Sequence, residues 1–294
     1  MRPKTILLLG ATALLAIAAA GCGGGSKKSA ASTTSGCSVD QLNLVHKGQL
    51  TIGTDNPAYP PWFGGTPAKG SKWKISDPTS GKGFESAVAF AVAKQLGFGK
   101  SDVVWTYVPF TRSYAPGKKS FDFDINEISF TPARAKVVEF SNSYYDVNQA
   151  VVVNKGTKAA AVRSRAGLRA LRLGVQLGTT SYDAIKNDIK PSSQPRVYDT
   201  NDKAVFALKS KQIDGLVVDL PTAFYVTAVQ VPNGKIIGQL PTKPGGERFG
   251  MVLQKGSPLT ACVNRALAKL KANGTLKRIQ ATWLSKVVGV PVLR

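Results

Sequence analysis

The sequence contains 294 residues, of which 39 are Lys or Arg and 17 are Asp or Glu, so the formal net charge is +22 at pH 7. Because this length exceeds the size at which a single hydrophobic core keeps growing, we expect two lobes. A strong positive charge is typical of nucleic-acid-binding proteins, but the N-terminal export signal argues against that class. His46 is the only histidine and has no Cys or His neighbours, so no metal site is predicted.

The chain begins with a pattern typical of secretion. Arg2 and Lys4 precede the apolar run ILLLGATALLAIAAAG, which ends in small residues and is short for a membrane span. We predict that residues 1–21 are a signal peptide. The cleavage point just before Cys22 resembles a bacterial lipoprotein signal, in which that cysteine is lipidated; plain secretion with cleavage nearby is the alternative. The mature protein would then be extracytoplasmic, anchored to the outer face of the cell membrane.

Residues 22–47 are predicted to form a flexible tether, because CGGGSKKSAASTTSG is rich in Gly and Ser and has little to bury. Cleavage also removes two basic residues, so the net charge falls to +20. The basic run at 155–172 is predicted to be a solvated face. Besides Cys22, the chain has two cysteines, Cys37 and Cys262. An even number of cysteines in an exported chain predicts a disulfide; two unpaired thiols are the alternative.

The first half of the chain alternates strand and helix signals. Phe84, Val88, Val92 and Leu96 recur every four residues and predict an amphipathic helix that Gly97 ends. A further helix begins at Thr131–Pro132, where threonine suits the N-cap and proline the first turn. Strands are predicted at 50–55, 103–110 and 121–129.

The second half repeats this alternation. Strands are predicted at 149–154, 171–178, 213–219 and 248–254. Helices are predicted after Thr179 or Thr180, over 201–211, after Ser257–Pro258 and near 276–284. Strands that alternate with helices indicate an α/β fold with mostly parallel sheets.

Motifs for catalysis or cofactor binding are scarce. The chain contains no G-x-S-x-G, Walker A or dinucleotide-binding pattern, so we expect no enzyme activity and no cofactor. Asp122 and Asp124 lie on one face of a predicted strand. This placement is more often a solvated face than an acid–base pair.

Polar and aromatic side chains follow the carboxyl ends of four strands, where open α/β sheets bind ligands. Together they offer a guanidinium for a carboxylate, a carboxylate for an ammonium and aromatic faces for a side chain. These are the requirements of a free amino acid. The four groups are Asp55 with Tyr59; residues 126–129 with Arg134; Gln176 with Thr179 and Thr180; and Asp219.

These stretches resemble the bacterial extracellular solute-binding proteins (family 3) of polar amino acid ABC transporters. The similarity runs from about residue 48 to 288 and includes LTIGTDNPAYPPWF, FDFDINEISFTPARAKVVEFSNSYYDVNQAVVV, LRLGVQLGTTSYDAI and IDGLVVDLPTAFYV. It implies a two-lobe clamshell of the type II periplasmic-binding-protein topology with two hinge crossovers. One lobe would take 48–147 plus 246–290, and the other 148–245.

The resemblance also implies roles for individual residues. Arg134 is similar to the arginine that pairs with the substrate α-carboxylate, and Thr179 and Thr180 are similar to donors that complete this grip from the other lobe. Asp219 is similar to the acid that holds the α-ammonium, with the Ser129 hydroxyl beside it.

Three more positions concern the substrate side chain. Tyr59 and Phe110 resemble the aromatic residues that enclose it, and Asp55 resembles an acid that reads cationic side chains in some members.

The chain departs from the family pattern at Asn126–Glu127 and at Asp124. If Glu127 and Asp55 both face the pocket, two negative charges remain after the α-groups are matched. Three alternatives follow: the substrate carries an extra cation, Glu127 pairs with a cation such as Arg112, or Glu127 points out of the pocket.

The sequence therefore predicts a monomeric lipoprotein that captures a free amino acid, with basic or polar ones favoured, by lobe closure. It would deliver this ligand to the permease and ATPase subunits of an ABC importer and bind no nucleic acid. The alternatives are a ligand-sensing domain, a small dehydratase-like enzyme on the same fold, or a protein that binds polyanions at the cell surface.

Overall fold

Two five-stranded sheets, each covered by helices, form the framework in a computed structural model that describes residues 36–242 and 245–294. A two-stranded sheet connects them. The strands in chain order are β1 Leu50–Thr54, β2 Val103–Tyr107, β3 Phe123–Asp124, β4 Val138–Phe140, β5 Tyr145–Val147, β6 Gln149–Asn154, β7 Leu173–Gln176, β8 Arg196–Tyr198, β9 Gly215–Asp219, β10 Gly234–Gln239, β11 Glu247–Phe249 and β12 Val252–Gln254.

The helices lie before, between and after these strands. The α-helices are α1 Phe84–Leu96, α2 Phe110–Ser113, α3 Pro132–Ala135, α4 Arg165–Leu168, α5 Thr180–Ala184, α6 Asn201–Lys209, α7 Leu220–Tyr225, α8 Leu259–Ala272 and α9 Thr275–Leu284. Short 3-10 helices occupy Val39–Gln41, Pro78–Ser80, Lys100–Asp102 and Lys158–Ala161, and π-helical turns continue α5 over Ile185–Ile189 and α7 over Val226–Gln230.

The first sheet has the order β2-β1-β3-β12-β4 and forms the first lobe with its helices. Its strand β1 is parallel to β2 and β3. Helix α1 packs against this sheet with Phe84, Val88 and Val92 buried, as the four-residue spacing predicts. The helix ends at Gly97, whose left-handed backbone (φ +97°) lets its N–H reach the carbonyls of the last turn.

The second sheet has the order β10-β6-β9-β7-β8 and forms the second lobe. Every residue of β6 is buried, because apolar clusters cover both faces of the sheet. Val151 and Val153 belong to one cluster, while Ala150 and Val152 belong to the cluster on the other face. The run QAVVVN is therefore apolar at successive positions because alternate side chains point to opposite buried faces.

The prediction of mostly parallel sheets is wrong, because both sheets are mixed. Strand β6 is antiparallel to β9 and β10, and β12 is antiparallel to β3 and β4. Strands β6 and β12 each come directly after a strand that crosses between the lobes. The crossover strands β5 and β11 pair antiparallel to each other, and we call this pair the hinge.

Several predicted elements are shorter or divided in the structure. The strand predicted at 103–110 ends at Tyr107, and Phe110 begins α2. The strand predicted at 121–129 is regular only over Phe123–Asp124. The strand predicted at 248–254 is divided between β11 and β12, because the chain leaves the hinge at Phe249 and enters the first sheet at Val252.

The structure joins Cys37 and Cys262 by a disulfide across a Cα–Cα distance of 5.7 Å. Val39, Leu42 and Leu44 pack against the apolar core of the first lobe. The tether predicted over 22–47 therefore extends too far, because these apolar side chains give its last part something to bury.

The predicted signal peptide, the lipidation site at Cys22 and the first part of the tether lie outside the described residues. Across 36–242 and 245–294, no helix has both the length and the apolar character needed to cross a membrane. The exact bounds predicted for the two lobes stay a prediction. The basic residues of the run at 155–172 are exposed, as expected for a solvated face.

We predict that removal of the disulfide lowers the free energy of unfolding by about 2–4 kcal/mol, because the bridge closes a long loop in the unfolded chain. Its cysteines are 225 residues apart. Denaturant unfolding of the Cys37→Ala/Cys262→Ala double variant tests this expectation. Ser38→Ala, at an exposed neighbouring position, is the matched control. Identical midpoints for the wild type and the double variant would contradict the prediction.

Candidate functional site

A cavity of about 250 Å³ lies between the two lobes. This volume equals roughly eight water molecules at about 30 Å³ each, which suits a small molecule. The sequence-predicted ligand residues all line it, although they come from distant parts of the chain. They are Asp55, Tyr59, Phe110, Glu127, Ser129, Arg134, Gln176, Thr179, Thr180 and Asp219.

Arg134 occupies one end of the cavity and bridges both lobes. Thr131 caps α3 by accepting a hydrogen bond from the Arg134 backbone N–H at 3.1 Å, which fixes the start of the helix. The guanidinium donates to the carbonyl of Ser129 at 2.6 Å in the first lobe and to the carbonyl of Gly178 at 2.7 Å in the second. It lies 4.2 Å from the centre of the Tyr114 ring. Burial lowers the pKa of Arg134, while Tyr114 and the charge of Glu247 oppose this shift.

The loop at Gly178 requires a glycine. Its φ of +75° is disfavoured for other residues, and a Cβ there would lie 2.4 Å from the Tyr114 hydroxyl oxygen. That hydroxyl donates to the Gly178 carbonyl at 3.0 Å. The absence of a side chain therefore lets the second lobe approach the arginine and the tyrosine of the first lobe.

The two threonines that begin α5 have different partners. The Thr179 hydroxyl donates to the carbonyl of Gln176 at 2.9 Å, within its own loop. The Thr180 hydroxyl contacts the Ser129 hydroxyl at 3.2 Å and also the carboxylate of Glu247. Thr180 is thus the threonine whose hydroxyl reaches the opposite lobe.

Glu247 is a carboxylate that the sequence analysis missed, and it bonds the hydroxyls of two residues that line the cavity, Ser129 and Thr180. It lies on β11 of the hinge, and its Oε1 accepts a hydrogen bond from the Ser129 hydroxyl at 2.5 Å. Its Oε2 accepts from the side-chain amide of Gln149 at 3.0 Å. No sequence pattern singles it out, because its position becomes informative only once the crossover strand is placed against both lobes.

Asp219 is the last residue of β9 on the second lobe, and it accepts a hydrogen bond from the Gln149 side-chain amide at 2.6 Å. Burial raises its pKa well above the usual range, and the charge of Glu247 raises it further. The hydrogen bond from Gln149 opposes this shift. A cation in the cavity would favour the ionised form of Asp219.

Glu127 faces the cavity and adopts a left-handed backbone with φ of +53°, which is uncommon for a residue other than glycine. Its backbone N–H donates to the carboxylate of Glu85 at 2.7 Å. Its side chain accepts from the hydroxyl of Thr222 at 2.7 Å, and that hydroxyl oxygen in turn accepts from the Trp62 indole N–H at 2.9 Å. The alternatives of a pair with Arg112 and of an outward orientation are therefore wrong.

Burial raises the pKa of Glu127 well above its usual range, and the charges of Glu85 and Asp219 act in the same direction. Asp55 also lines the cavity, and burial raises its pKa despite hydrogen bonds from backbone N–H groups. Both carboxylates thus face a site in which Arg134 is the one basic side chain of the described lining, and each would be stabilised in its ionised form by a bound cation.

A further part of the cavity lining joins side chains from both lobes. The Tyr59 hydroxyl donates to Asp202 at the start of α6, and the Tyr59 ring lies 5.9 Å from the Tyr225 ring. Gln230 donates its side-chain amide N–H to Asp202 at 3.1 Å. Sequence analysis missed Asp202, because an acid in the first turn of a helix has an ordinary explanation in the helix dipole.

Three further acids, Glu85, Asp124 and Asp122, are buried in the first lobe. Glu85 on α1 accepts hydrogen bonds from the Tyr144 hydroxyl and the Glu127 backbone N–H. Asp124 is fully buried, and neither of its side-chain oxygens has a hydrogen-bond partner. Asp122 is also buried and accepts from the backbone N–H groups of Val45 and Thr51. The prediction of a solvated face for Asp122 and Asp124 is therefore wrong.

The charge balance of the site is strongly negative. Arg134 is the one basic side chain among the described residues that line the cavity, whereas Asp55, Glu127, Asp202 and Asp219 are among its acids. Within 36–242 and 245–294, no three His, Cys, Asp or Glu side chains are placed to hold a metal ion.

Comparisons with known proteins agree with this geometry. The profile of bacterial extracellular solute-binding proteins, family 3, matches residues 50–286. ABC transporter arginine-binding protein 1 of Escherichia coli (strain K12) is 30% identical over 207 residues, which cover 68% of this chain and 81% of that protein. ABC transporter glutamine-binding protein GlnH of Bacillus subtilis (strain 168) is 28% identical over 217 residues, covering 72% and 77%.

A solved structure shows the same fold. An ancestral arginine-binding protein bound to glutamine superposes with a TM-score of 0.66 at 30% identity, over 81% of this chain and 98% of its own. The predicted two-lobe fold of the type II periplasmic binding proteins is therefore confirmed.

We predict that Glu85 makes the folded protein less stable as the pH rises. Burial raises the pKa of Glu85 from 4.5 to about 7. Between these values the folded state holds a proton that the unfolded state has lost, so this contribution is present at low pH and is lost as the pH rises through the window. The expected loss is about 3 kcal/mol.

Denaturant unfolding between pH 4.5 and 7.5 for the wild type and Glu85→Gln checks this expectation. The variant should lose part of the pH dependence, since Asp55, Asp124, Glu127 and Asp219 keep pKa values that are raised in the same direction. Glu139→Gln, a partly exposed acid on β4, is the control. Parallel curves for the wild type and Glu85→Gln would contradict the prediction.

Proposed function

Because the chain belongs to the bacterial extracellular solute-binding proteins of family 3, we propose that it captures a free amino acid in the cleft between its lobes. Amino acids with basic side chains are favoured over polar ones. The observation that carries this proposal is the cavity itself, in which one arginine and several acids from both lobes face the same space. Its relatives include arginine- and glutamine-binding proteins, which supports the ligand class.

Recognition of the amino acid backbone uses opposite charges on the two lobes. Arg134 on the first lobe pairs with the α-carboxylate, and the Thr180 hydroxyl with neighbouring N–H groups completes this grip from the second lobe. Asp219 on the second lobe receives the α-ammonium, with the Ser129 hydroxyl beside it. A guanidinium and a carboxylate are well matched because charge-assisted hydrogen bonds are stronger than neutral ones.

The side chain of the ligand extends toward Asp55 and Tyr59, past Phe110. After Arg134 and Asp219 have matched the two α-groups, Glu127 and Asp55 remain without a cation. An ammonium or guanidinium at the end of the ligand side chain supplies the missing charge, whereas an acidic side chain adds to the repulsion. This balance is the reason that basic ligands are favoured.

Ligand binding drives closure of the lobes. In the structure, contacts between Arg134 and Gly178, between Thr222 and Glu127 and between Tyr59 and Asp202 cross from one lobe to the other. A ligand that needs groups from both lobes favours the closed state, because only closure brings both sets within reach. The closed form is then presented to the permease and ATPase subunits of an ABC importer.

The protein works as an extracytoplasmic monomer held to the membrane by a lipid on Cys22. Gln176 and Thr179 support the loop that carries Thr180, and we assign no catalytic residue. An alternative is an enzyme on the same fold: an ancestral amino acid-binding protein described as a precursor of cyclohexadienyl dehydratase has a TM-score of 0.63 at 28% identity. A ligand-sensing domain is the other alternative. Turnover of a bound ligand would favour the enzyme.

We predict that Arg134→Ala weakens the binding of basic amino acids by about 100-fold or more, since loss of one partner from a buried charge pair costs several kcal/mol. Isothermal titration calorimetry with arginine, lysine, histidine, glutamine, glutamate and aspartate provides the measurement. Arg172→Ala removes an exposed arginine paired with Asp214 and should leave the affinity within two-fold.

Two outcomes would oppose this proposal. Full affinity in Arg134→Ala would remove the arginine from the site. Tight binding of glutamate or aspartate by the wild type, without binding of basic ligands, would overturn the proposed charge preference.

We predict that Cys22→Ser releases the protein from the membrane, because serine cannot carry the thioether-linked lipid. In a bacterial host that processes lipoproteins, the wild type should sediment with membranes and the variant should appear in the soluble extracytoplasmic fraction. Lipid labelling of the wild type provides a second readout. Equal membrane recovery of both forms would contradict lipidation at this position.

A further inference from the structure

Glu247 reaches the arginine end of the cleft from the hinge. Its strand β11 pairs with β5, with Glu247 opposite Val147, so its backbone belongs to a crossover between the lobes. Its carboxylate nevertheless contacts hydroxyls from both lobes, namely Ser129 at 2.5 Å and Thr180. The Gln149 amide binds its second oxygen at 3.0 Å. The carboxylate is thus held by donors on each of its oxygens.

One of these donors, the Thr180 hydroxyl, is also the donor that would receive the carboxylate of a ligand. A hydroxyl beside a guanidinium suits a planar anion, because the pair supplies hydrogen bonds and one positive charge. Glu247 meets both hydroxyls, and its negative charge acts on Arg134. The protein therefore holds a carboxylate of its own on two hydroxyls, those of Ser129 and Thr180, whose residues line the cavity beside Arg134.

The charges in the cleft follow from this placement. The negative charge of Glu247 acts on Arg134, so Asp219, Glu127 and Asp55 face the cavity with no other basic side chain among the described lining residues. A ligand with its own carboxylate must displace Glu247 or lie beside it, and like charges at contact distance repel strongly in a partly dry site. A ligand with cationic groups alone meets no such obstacle.

We propose that the cleft also binds organic cations that carry no carboxylate, with Glu247 taking the place of the ligand carboxylate beside Arg134. The ligands of this class are alkyl diamines and amino-alkyl guanidines. One cationic group lies between Asp219 and Glu127, and the second lies toward Asp55. This inference rests on the proposed function, because it uses the same cleft and the same closure of the lobes.

Matched ligand pairs test the inference in the wild-type protein. Agmatine is arginine without its carboxylate, and cadaverine is lysine without its carboxylate. Calorimetry should give dissociation constants for agmatine and cadaverine that are no more than ten-fold weaker than those of the parent amino acids. A loss greater than ten-fold in both pairs overturns the inference and leaves the proposed amino acid binding intact.

The variant Glu247→Gln tests whether the Glu247 carboxylate causes the binding of ligands that carry no carboxylate. It keeps an oxygen for the two hydroxyls but removes the charge, so the arginine-to-agmatine affinity ratio should shift by at least ten-fold in favour of arginine. Glu139→Gln makes the same chemical change on β4 and should leave the ratio unchanged. An unchanged ratio in Glu247→Gln contradicts the role of Glu247. If that variant does not fold, the wild-type pairs decide alone.

The two proposals fail in different ways. Binding of agmatine and cadaverine without their parent amino acids would support this inference and overturn the proposed amino acid ligand. Binding of the amino acids without agmatine and cadaverine would overturn this inference and support the proposed amino acid ligand. If none of the four ligands binds, both proposals fail, because the cleft would then not recognise small organic cations.

Discussion

The structure depends on a single buried guanidinium that holds two lobes through hydrogen bonds to one carbonyl on each. Arg134 can do this because Thr131–Pro132 begins a short helix that fixes its backbone, and because Gly178 lets the second lobe approach. Tyr114 covers the face of the guanidinium and limits its contact with water. The position that joins the lobes is therefore also the position at which an anion would be recognised, so ligand recognition and closure use the same side chain.

The acids around this arginine give the site its chemical character. Burial raises the pKa values of Asp55, Glu127 and Asp219, and each charge raises the pKa of its neighbours. At an effective dielectric constant of about 20, two like charges 4 Å apart repel by about 4 kcal/mol. Burial and like-charge repulsion therefore both favour the protonated forms of these carboxyls. A cationic ligand can replace these protons, which couples binding to proton release.

Much of this arrangement could be predicted from the sequence. The carboxyl ends of the strands in an open α/β sheet face the same cleft, so residues at or shortly after these ends are predicted to share a site. This reasoning grouped Asp55, Arg134 and Asp219 correctly. The resemblance to the family supplied the two-lobe fold. The fully buried strand β6 was predicted with its observed bounds, since its run of β-branched residues allows few alternatives.

The missed features share a physical cause. Glu247 and Asp202 contact groups that are more than 60 residues away in the chain, and local patterns carry no information on such pairs. The alternation of apolar and polar residues around Asp122 and Asp124 suggested a strand with one solvent-exposed face. The N-terminal segment instead covers Asp122, and the Val45 backbone N–H donates a hydrogen bond to its carboxylate. The antiparallel strands β6 and β12 follow from the crossovers, which secondary-structure signals do not show.

The disulfide between Cys37 and Cys262 determines which part of the molecule is held in place. It attaches Cys37, near the start of the described residues, to α8 of the first lobe. The 15 residues from Cys22 to Cys37 span at most about 50 Å when fully extended. With a lipid on Cys22, the first lobe would stay within that distance of the bilayer. The second lobe would then be the lobe that moves relative to the membrane when the cleft opens and closes.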